Sequence, residues 1–482
     1  MRASRWACLL AVAASVSLLT PGPTARAQGE RPGVFDPALA AALEGALQGV
    51  AARYGVEGVS AAVIVPDGAV WTGVDGNSTV EVPVAPDMVF GIGSGTKTYT
   101  AALLLLLAEE GRVDLDAGVG TYLPWLTDYP NITVTASLRR LLSHRSGIAN
   151  YTSNPAFGAA LFADPAHLFT PDEILSFVGT PLFNPGSGWN YSNTNYYLAG
   201  LVIEAVTGMS APEAFAAYFT GPQGLAHTRF GWEPVPEGQQ WAHGWATVSG
   251  GGSIDLTTLS PNSNFSAAFT AGGLVSTAEE SARWARALWG GDVLSAASFA
   301  QMTTLTALGS NFPGGRTVGY GLGVFALELG GVPVWAHSGR IAGYSGSMAY
   351  DPARDVSIAV LANRNGSGNP DAMLAELHAV VAQHVVAAEG GPAGGDALDL
   401  QVVGPNPSRG PVFFRFTTAT AGPVRLEVLD VLGRRVAVPA EGAFSPGRHE
   451  VRWGASATAN GVYVVRLRQG GHERVRPLTV AH

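Results

Sequence analysis

The chain has 482 residues, too many for one typical core, so two or more domains are expected. Hydrophobic residues make up 47% and charged residues 13%, a balance that excludes disorder and fits a well-packed globular protein. The net charge of −9 argues against sequence-independent binding to nucleic acid or to an anionic membrane, since both favour basic patches.

The N-terminus has the layout of a secretory signal. Arg2 and Arg5 form a basic start, Trp6 to Leu19 an apolar stretch, and Ala25-Arg26-Ala27 a cleavage site of the A-x-A kind. Residues 1–27 are therefore expected to be removed, and the apolar stretch is short for a membrane span. Cys8, the only cysteine, falls inside this segment. A mature chain starting at Gln28 would then hold no disulfide, thiolate ligand or cysteine nucleophile.

Pro37 to Tyr54 has a helical pattern, with Asp36 as N-cap and Gly55 beyond its end. Gly58 to Val65 and Ala69 to Thr72 form a strand pair around Pro66-Asp67-Gly68. A loop-rich stretch leads to Phe90 and to a helix that starts at Ser94 and ends near Gly111. Helical patterns then dominate, at Ala136 to Leu142, Pro171 to Phe177, Asn195 to Thr207, Ala211 to Phe219 and Ala278 to Leu288. Strands return at Tyr320 to Leu329, Val332 to His337, Tyr344 to Tyr350 and Val356 to Ala362, and Asp371 to Ala388 forms a closing helix. Residues 28–388 thus have the pattern of an α+β domain, a sheet with helices on its faces plus an inserted all-helical region. Residues 389–397 have linker composition. Leu398 to His482 shows short alternating runs (Val412 to Phe416, Val424 to Leu429, Arg448 to Trp453, Val462 to Leu467) between Gly/Pro turns, which predicts a small all-β sandwich.

Lys97 is the only lysine in the chain. Arginine keeps its proton in a protein, whereas a desolvated lysine amine becomes neutral and acts as a base. Lys97 stands three residues after Ser94 and just before the apolar run Ala101 to Leu107. That is the layout of a serine nucleophile with an amine one turn further along the same helix face. Ser-x-x-Lys is a weak signal by itself, so other segments must support it. Tyr191 offers a phenol that shuttles a proton if a cation lowers its pKa. Asn193 offers an amide that holds a substrate carbonyl or orients the lysine, or equally caps the following helix. His337-Ser338-Gly339 ends a predicted strand, where glycine lets a substrate backbone lie close. The N–H groups of Arg340 and Ser94 would form an oxyanion pair. Leu141 to Gly147 has the pattern of a helix end entering a loop, a structural role. Gly91 to Thr98 nearly spells a phosphate-binding loop, but Thr96 stands where glycine is required. The histidines are scattered and no His-Glu-x-x-His is present, so neither metal nor cofactor is expected.

Together these segments resemble the serine β-lactamase and penicillin-binding-protein superfamily, in the branch of class C β-lactamases, D-alanyl-D-alanine carboxypeptidases and related esterases. Phe90 to Thr98 is similar to its nucleophile segment. Leu141 to Gly147 is similar to Leu-Leu-Thr-His-Thr-Ser-Gly, with Ser143 and Arg145 differing. Tyr191 to Tyr196 resembles the Tyr-x-Asn motif, Thr270 to Thr277 and Tyr320 to Gly323 match further patterns, and His337-Ser338-Gly339 takes the place of Lys-Thr-Gly. The resemblance covers roughly residues 35 to 385 in order.

The resemblance implies an antiparallel sheet flanked by helices and an acyl-enzyme hydrolase. Ser94 attacks a carbonyl, and Lys97 and Tyr191 handle the proton, with the primary base left open. Asn193 positions the acyl side; His337, with Ser338 and Gly339, lines the leaving side; the Arg340 N–H serves the oxyanion. Histidine at 337 removes the permanent cation that would dock a substrate carboxylate, and it would be charged only below about pH 6.5 unless a neighbour raised its pKa. Strong β-lactamase activity is therefore not expected. The implied substrate is a small peptide, ester or β-lactam, with carboxypeptidase-like or esterase activity foremost. The alternatives are a β-lactamase and a catalytically silent homologue that binds peptidoglycan. Loops Tyr151 to Leu168 and Gly244 to Ser266 would build the substrate pocket.

The last segment has its own likeness. Gly404-Pro405-Asn406-Pro407, Val431-Leu432-Gly433-Arg434 and Ala459-Asn460-Gly461-Val462-Tyr463 resemble the C-terminal sorting domain of type IX secretion substrates. That implies secretion machinery as a partner of residues 398–482 and export through the periplasm to a secreted or cell-surface location.

Overall fold

The computed structural model describes residues 33–247, 252–312, 315–364, 369–390, 398–403, 412–418, 420–430, 434–454, 458–470 and 472–480. The expected signal segment, most of the expected linker, and the motifs at 404–407 and 431–433 lie outside the described residues. Two compact units part between Val381 and Ala382.

An eight-stranded sheet organises the first unit, in the spatial order Val70–Gly76, Gly58–Ile64, Val356–Ala362, Tyr344–Asp351, Val332–Ile341, Phe325–Leu329, Gly315–Tyr320 and Thr306–Phe312. Every neighbouring pair is antiparallel. The central strands are buried along their whole length, so they carry apolar or small residues on both faces rather than alternating with polar ones. On one face Ala62, Met348, Ala359 and Leu361 join the main core with Trp284. On the other face Ser347 donates to Asp371 and His378 pairs with Asp351. These bonds seat the helix Pro370–Gly390 there, and Arg53 of the helix Pro37–Tyr54 bonds Glu376 alongside it. Asp36 caps the first of these helices and Gly55 ends it in the left-handed region, as expected from the sequence.

The inserted region is helical, and its helices converge on Thr96–Glu109, the most enclosed helix of the unit. Asn193–Thr207 and Asn262–Gly272 pack against it. So does Ala278–Gly290, through Trp284. The Trp284 indole stacks on Tyr99 at 3.9 Å, and its N–H donates to Thr98 Oγ1 at 2.8 Å. Trp284 thereby ties the helix that carries Lys97 to the helix that lies on the sheet.

Several boundaries differ from expectation. Tyr320 to Leu329 is not one strand but a hairpin, Gly315–Tyr320 and Phe325–Leu329, and Thr306–Phe312 adds a further edge. The strand from Val332 does not stop at His337 but continues to Ile341. The stretch 151–168, expected as loop, contains the helix Pro155–Ala163, and the one beginning at Gly244 ends in the helix Asn262–Gly272. The closing helix reaches Gly390, which takes the first two residues of the expected linker.

The second unit is all-β. One antiparallel sheet holds Asp399–Val403, Val412–Thr418 and Gly447–Trp453; another holds Arg435–Phe444, Gly422–Asp430, Gly461–Gln469 and His472–Val480. Both sheets feed one core that includes Leu400, Phe414, Leu426 and Val465, which gives the sandwich that the alternating pattern predicts.

Removing the indole tests the packing around the central helix. Trp284→Ala is expected to destabilise the first unit by about 3–5 kcal/mol, read as a lowered denaturation midpoint. A loss below about 1 kcal/mol would mean that Trp284 does not anchor that helix.

Candidate active site

Ser94 lies in a single 3₁₀ turn, Gly93–Gly95, immediately before the helix Thr96–Glu109, and Lys97 is the second residue of that helix. The turn is pressed against the strand Val332–Ile341. Gly93 has φ +50°, and a Cβ there would stand 2.6 Å from the Arg340 nitrogen. A Cβ on Gly339 would stand 1.9 Å from the Ile92 carbonyl oxygen and 2.6 Å from the Ser94 nitrogen. Both glycines are therefore required by backbone-on-backbone contact. The room at Gly339 is used by the turn that carries Ser94. The same contact brings the N–H groups of Ser94 and Arg340 to one junction. The Arg340 side chain itself is exposed.

Lys97 is fully buried. Its Nζ lies 2.7 Å from Asn193 Oδ1, 2.6 Å from the Ala271 carbonyl oxygen and 2.9 Å from Ser94 Oγ. The first two oxygens can only accept. A neutral amine has two N–H bonds and one lone pair, so with both protons given to those oxygens the lone pair faces the serine hydroxyl. Burial holds the Lys97 amine well below the usual lysine range. Among the described residues no carboxylate forms a salt bridge with it.

The Ala271 carbonyl is available because it lies in the last turn of Asn262–Gly272, where carbonyls have no helical partner. Thr100 Oγ1 donates to the neighbouring Thr270 carbonyl in the same way, at 2.7 Å. Phe269 bends this turn with φ 43° and ψ −135°, a strained conformation for a bulky residue. Asn193 begins its helix, with Ser192 at the N-cap position and no side-chain cap. Its amide is thus free for Lys97, and its Nδ2 donates to Thr152 Oγ1 at 3.3 Å. Oδ1 orients the lysine, while the half-buried Nδ2 has a second N–H beyond the one given to Thr152.

Tyr191 places its ring centroid 5.0 Å from Lys97 Nζ. Its phenol is not made acidic by that neighbour. Burial pushes its pKa up, and the nearby Ser94 hydroxyl only partly offsets this. Tyr191 therefore remains a neutral phenol.

His337 points to the same face as its cross-strand partner Met348 and is enclosed, not cleft-lining. Its Nδ1 donates to the Ser338 carbonyl at 2.6 Å, and its Nε2, 3.3 Å from the Tyr320 hydroxyl, accepts from it. Both nitrogens are satisfied by a neutral ring. Burial lowers its pKa to about 3, with the Lys97 charge adding to the effect when that amine is protonated. The sequence suggested a histidine that becomes cationic in mild acid; the structure gives one that stays neutral. Ser338 pairs across the strands with Ser347, whose hydroxyl donates to Asp371 at 2.8 Å, so the Ser338 side chain points to that far side of the sheet. Only its backbone faces the nucleophile.

One residue assigned a purely structural place sits within this group. His144 has φ 57°, is fully buried, and packs its ring at a tilt 4.2 Å from that of Tyr191 and 4.9 Å from that of Tyr320. Its Nδ1 accepts from the Ser192 N–H and from Asn195 Nδ2, both at 3.2 Å, which fixes the segment carrying Tyr191 and Asn193. Its Nε2 is buried without a hydrogen-bond partner among the described residues.

A family model described as beta-lactamase matches residues 40–383. The fold is similar to that of a D-stereospecific amidohydrolase from Streptomyces sp., with 32% identity and a TM-score of 0.61 over 69% of this chain and 96% of that one. The chain is 27% identical over 331 residues to an unguisins hydrolase of Aspergillus campestris, spanning 66% of this chain and 60% of that protein. It is 29% identical over 197 residues to a putative D-alanyl-D-alanine carboxypeptidase of Escherichia coli, spanning 39% of this chain and 44% of that protein. The chain thus spans less than two thirds of the length of these two curated relatives.

The depressed His337 pKa has a consequence for stability. An unfolded histidine titrates near 6.5 and folded His337 at about 3, so between these values the unfolded chain binds the extra proton. Stability is full above pH 6.5 and falls as the pH drops below it, by about 2 kcal/mol at pH 5 from this residue. His337→Gln is expected to flatten the dependence of the denaturation midpoint on pH between 7 and 5. An unchanged slope would show that folded His337 takes up its proton in that range.

Proposed function

The chain belongs to the beta-lactamase family, and from that premise we propose that it hydrolyses D-amino-acid amides, small peptides or related esters through an acyl-enzyme on Ser94. The relatives include a D-stereospecific amidohydrolase and a putative D-alanyl-D-alanine carboxypeptidase, both hydrolases by name. The observation that carries the reading is the surroundings of Lys97: two obligate acceptors, no carboxylate partner among the described residues, and the serine oxygen at 2.9 Å.

Lys97, as the neutral amine, takes the Ser94 proton as Oγ attacks the carbonyl. The oxyanion forms between the N–H groups of Ser94 and Arg340. Tyr191 then relays the proton from Lys97 to the leaving group, and on deacylation the same groups deprotonate water. Its raised pKa makes Tyr191 a donor and relay rather than a phenolate base, so Lys97 is the primary base.

Position 337 favours a substrate without a terminal carboxylate. A neutral, enclosed imidazole cannot dock one, which weighs against β-lactams and against a strict carboxypeptidase. The D-stereospecific amidohydrolase of Streptomyces lends support to an amide substrate. An intact Ser94, Lys97 and Tyr191 argues against a silent peptidoglycan-binding homologue. Residues 28–388 form the hydrolase domain in this reading, residues 1–27 a removable signal, and the all-β segment 398–482 a secretion sorting module reached through the linker 389–397. No helix among the described residues is long and apolar enough to cross a membrane.

Lys97→Arg keeps the charge but removes the base. It is expected to lower kcat by at least about a hundredfold to a thousandfold, read on a D-amino-acid p-nitroanilide; a near-normal rate would rule out the mechanism. Ser94→Ala should end covalent labelling by a fluorophosphonate while shifting stability by less than about 0.5 kcal/mol.

A further inference from the structure

An apolar cavity of about 230 Å³ opens at the end of the strand Val332–Ile341, where Ala342 and Tyr344 line it. Leu161 and Phe162, Leu256, Trp241, Phe265 and Tyr344 form its walls. Both segments expected from the sequence to shape the substrate pocket contribute.

Three observations connect it to the reaction. First, Ala342 lines it, two residues beyond Arg340 in the same strand hairpin, and Asn264 Nδ2 fixes the Ala342 carbonyl at 3.1 Å. Second, Phe265 and Tyr344 close over Gly91, three residues before Ser94; a Cβ there would stand 3.2 Å and 3.0 Å from their rings. Third, the polar groups of the lining are already engaged within the protein. Tyr344 donates to the Ala242 carbonyl, Ser263 to the Leu161 carbonyl, and Thr257 Oγ1 accepts from the Gly244 N–H. A polar guest would find few free partners, whereas an apolar one leaves none unsatisfied. At the rim, Phe162 and Val235 are 57% and 49% exposed, apolar surface that a guest would cover. An apolar cavity of about 150 Å³ holds a benzene molecule, so this one takes an aromatic side chain with room to spare.

We propose that this cavity binds a bulky apolar, aromatic-sized side chain of the substrate and selects for it over a methyl group. The proposal rests on the hydrolase reading above and specifies its substrate class: phenylalanine-like rather than alanine-like amides and esters.

The test uses the full chain with D-phenylalanine and D-alanine p-nitroanilides, and in parallel the rate of Ser94 labelling by benzyl- and methyl-substituted fluorophosphonates. The aromatic member should win by roughly tenfold or more in kcat/KM and in labelling rate. Ala342→Phe, which narrows the cavity, should reduce the wild-type ratio by about the same factor. The wild-type labelling comparison decides the matter even if that variant fails to fold. Labelling of Ser94 with equal or reversed preference would overturn the cavity assignment alone. No labelling of Ser94 by either probe would remove the hydrolase reading, and this proposal with it.

Discussion

A lysine amine kept out of water needs either a counter-charge or a reason to be neutral. Lys97 has no carboxylate partner among the described residues and is given two oxygens that can only accept. Much of the surrounding architecture supplies those oxygens at the right place. Asn193 is spared from capping its own helix. The Ala271 carbonyl is released by the end of another helix, which Phe269 bends in a strained conformation. The turn that carries Ser94 is located by two glycines, Gly93 and Gly339, through which it touches the sheet backbone to backbone.

The same condition governs the second layer. Around the amine stand Tyr191, Tyr196, Tyr320, His144 and His337, all polar and all uncharged in this setting. Desolvation works on each of them in the direction that disfavours ionisation. A carboxylate here would draw the proton onto Lys97 and end its use as a base. A protonated histidine would make the amine still harder to charge but would add an uncompensated buried cation. Hydrogen bonds that saturate a neutral His337, from Tyr320 and to the Ser338 carbonyl, keep that from happening.

What the sequence disclosed and withheld follows from the kind of signal each feature leaves. Ser94, Lys97, Tyr191 and Asn193 were visible because each is a chemically distinctive side chain in a compact motif, and Lys97 more so for being the sole lysine. The all-β segment was visible through its alternation. The Ala271 carbonyl has no side-chain signature; only the following glycine pair hints that a helix ends there. His144 lay in a stretch whose local pattern is a helix end, and its closeness to Tyr191 is a tertiary fact. Burial decided His337, and the face of the strand decided Ser338. The strand was expected to stop at His337, so its continuation to Ile341, which seats one side chain in each face of the sheet, was not foreseen. The cavity beside Gly91 was foreseen only as a pair of loops, since their path, and the helices within them, depend on packing that no local pattern encodes.

Because the chain has one lysine, its ionisation is open to direct reading. Protein grown with lysine labelled by ¹³C at the ε carbon gives a single side-chain resonance from position 97, which can be followed through a pH titration. The account requires the shift of a neutral amine at pH near 7 and a midpoint far below that of a solvated lysine. A resonance that stays at the position of the protonated amine up to pH 10 would contradict it.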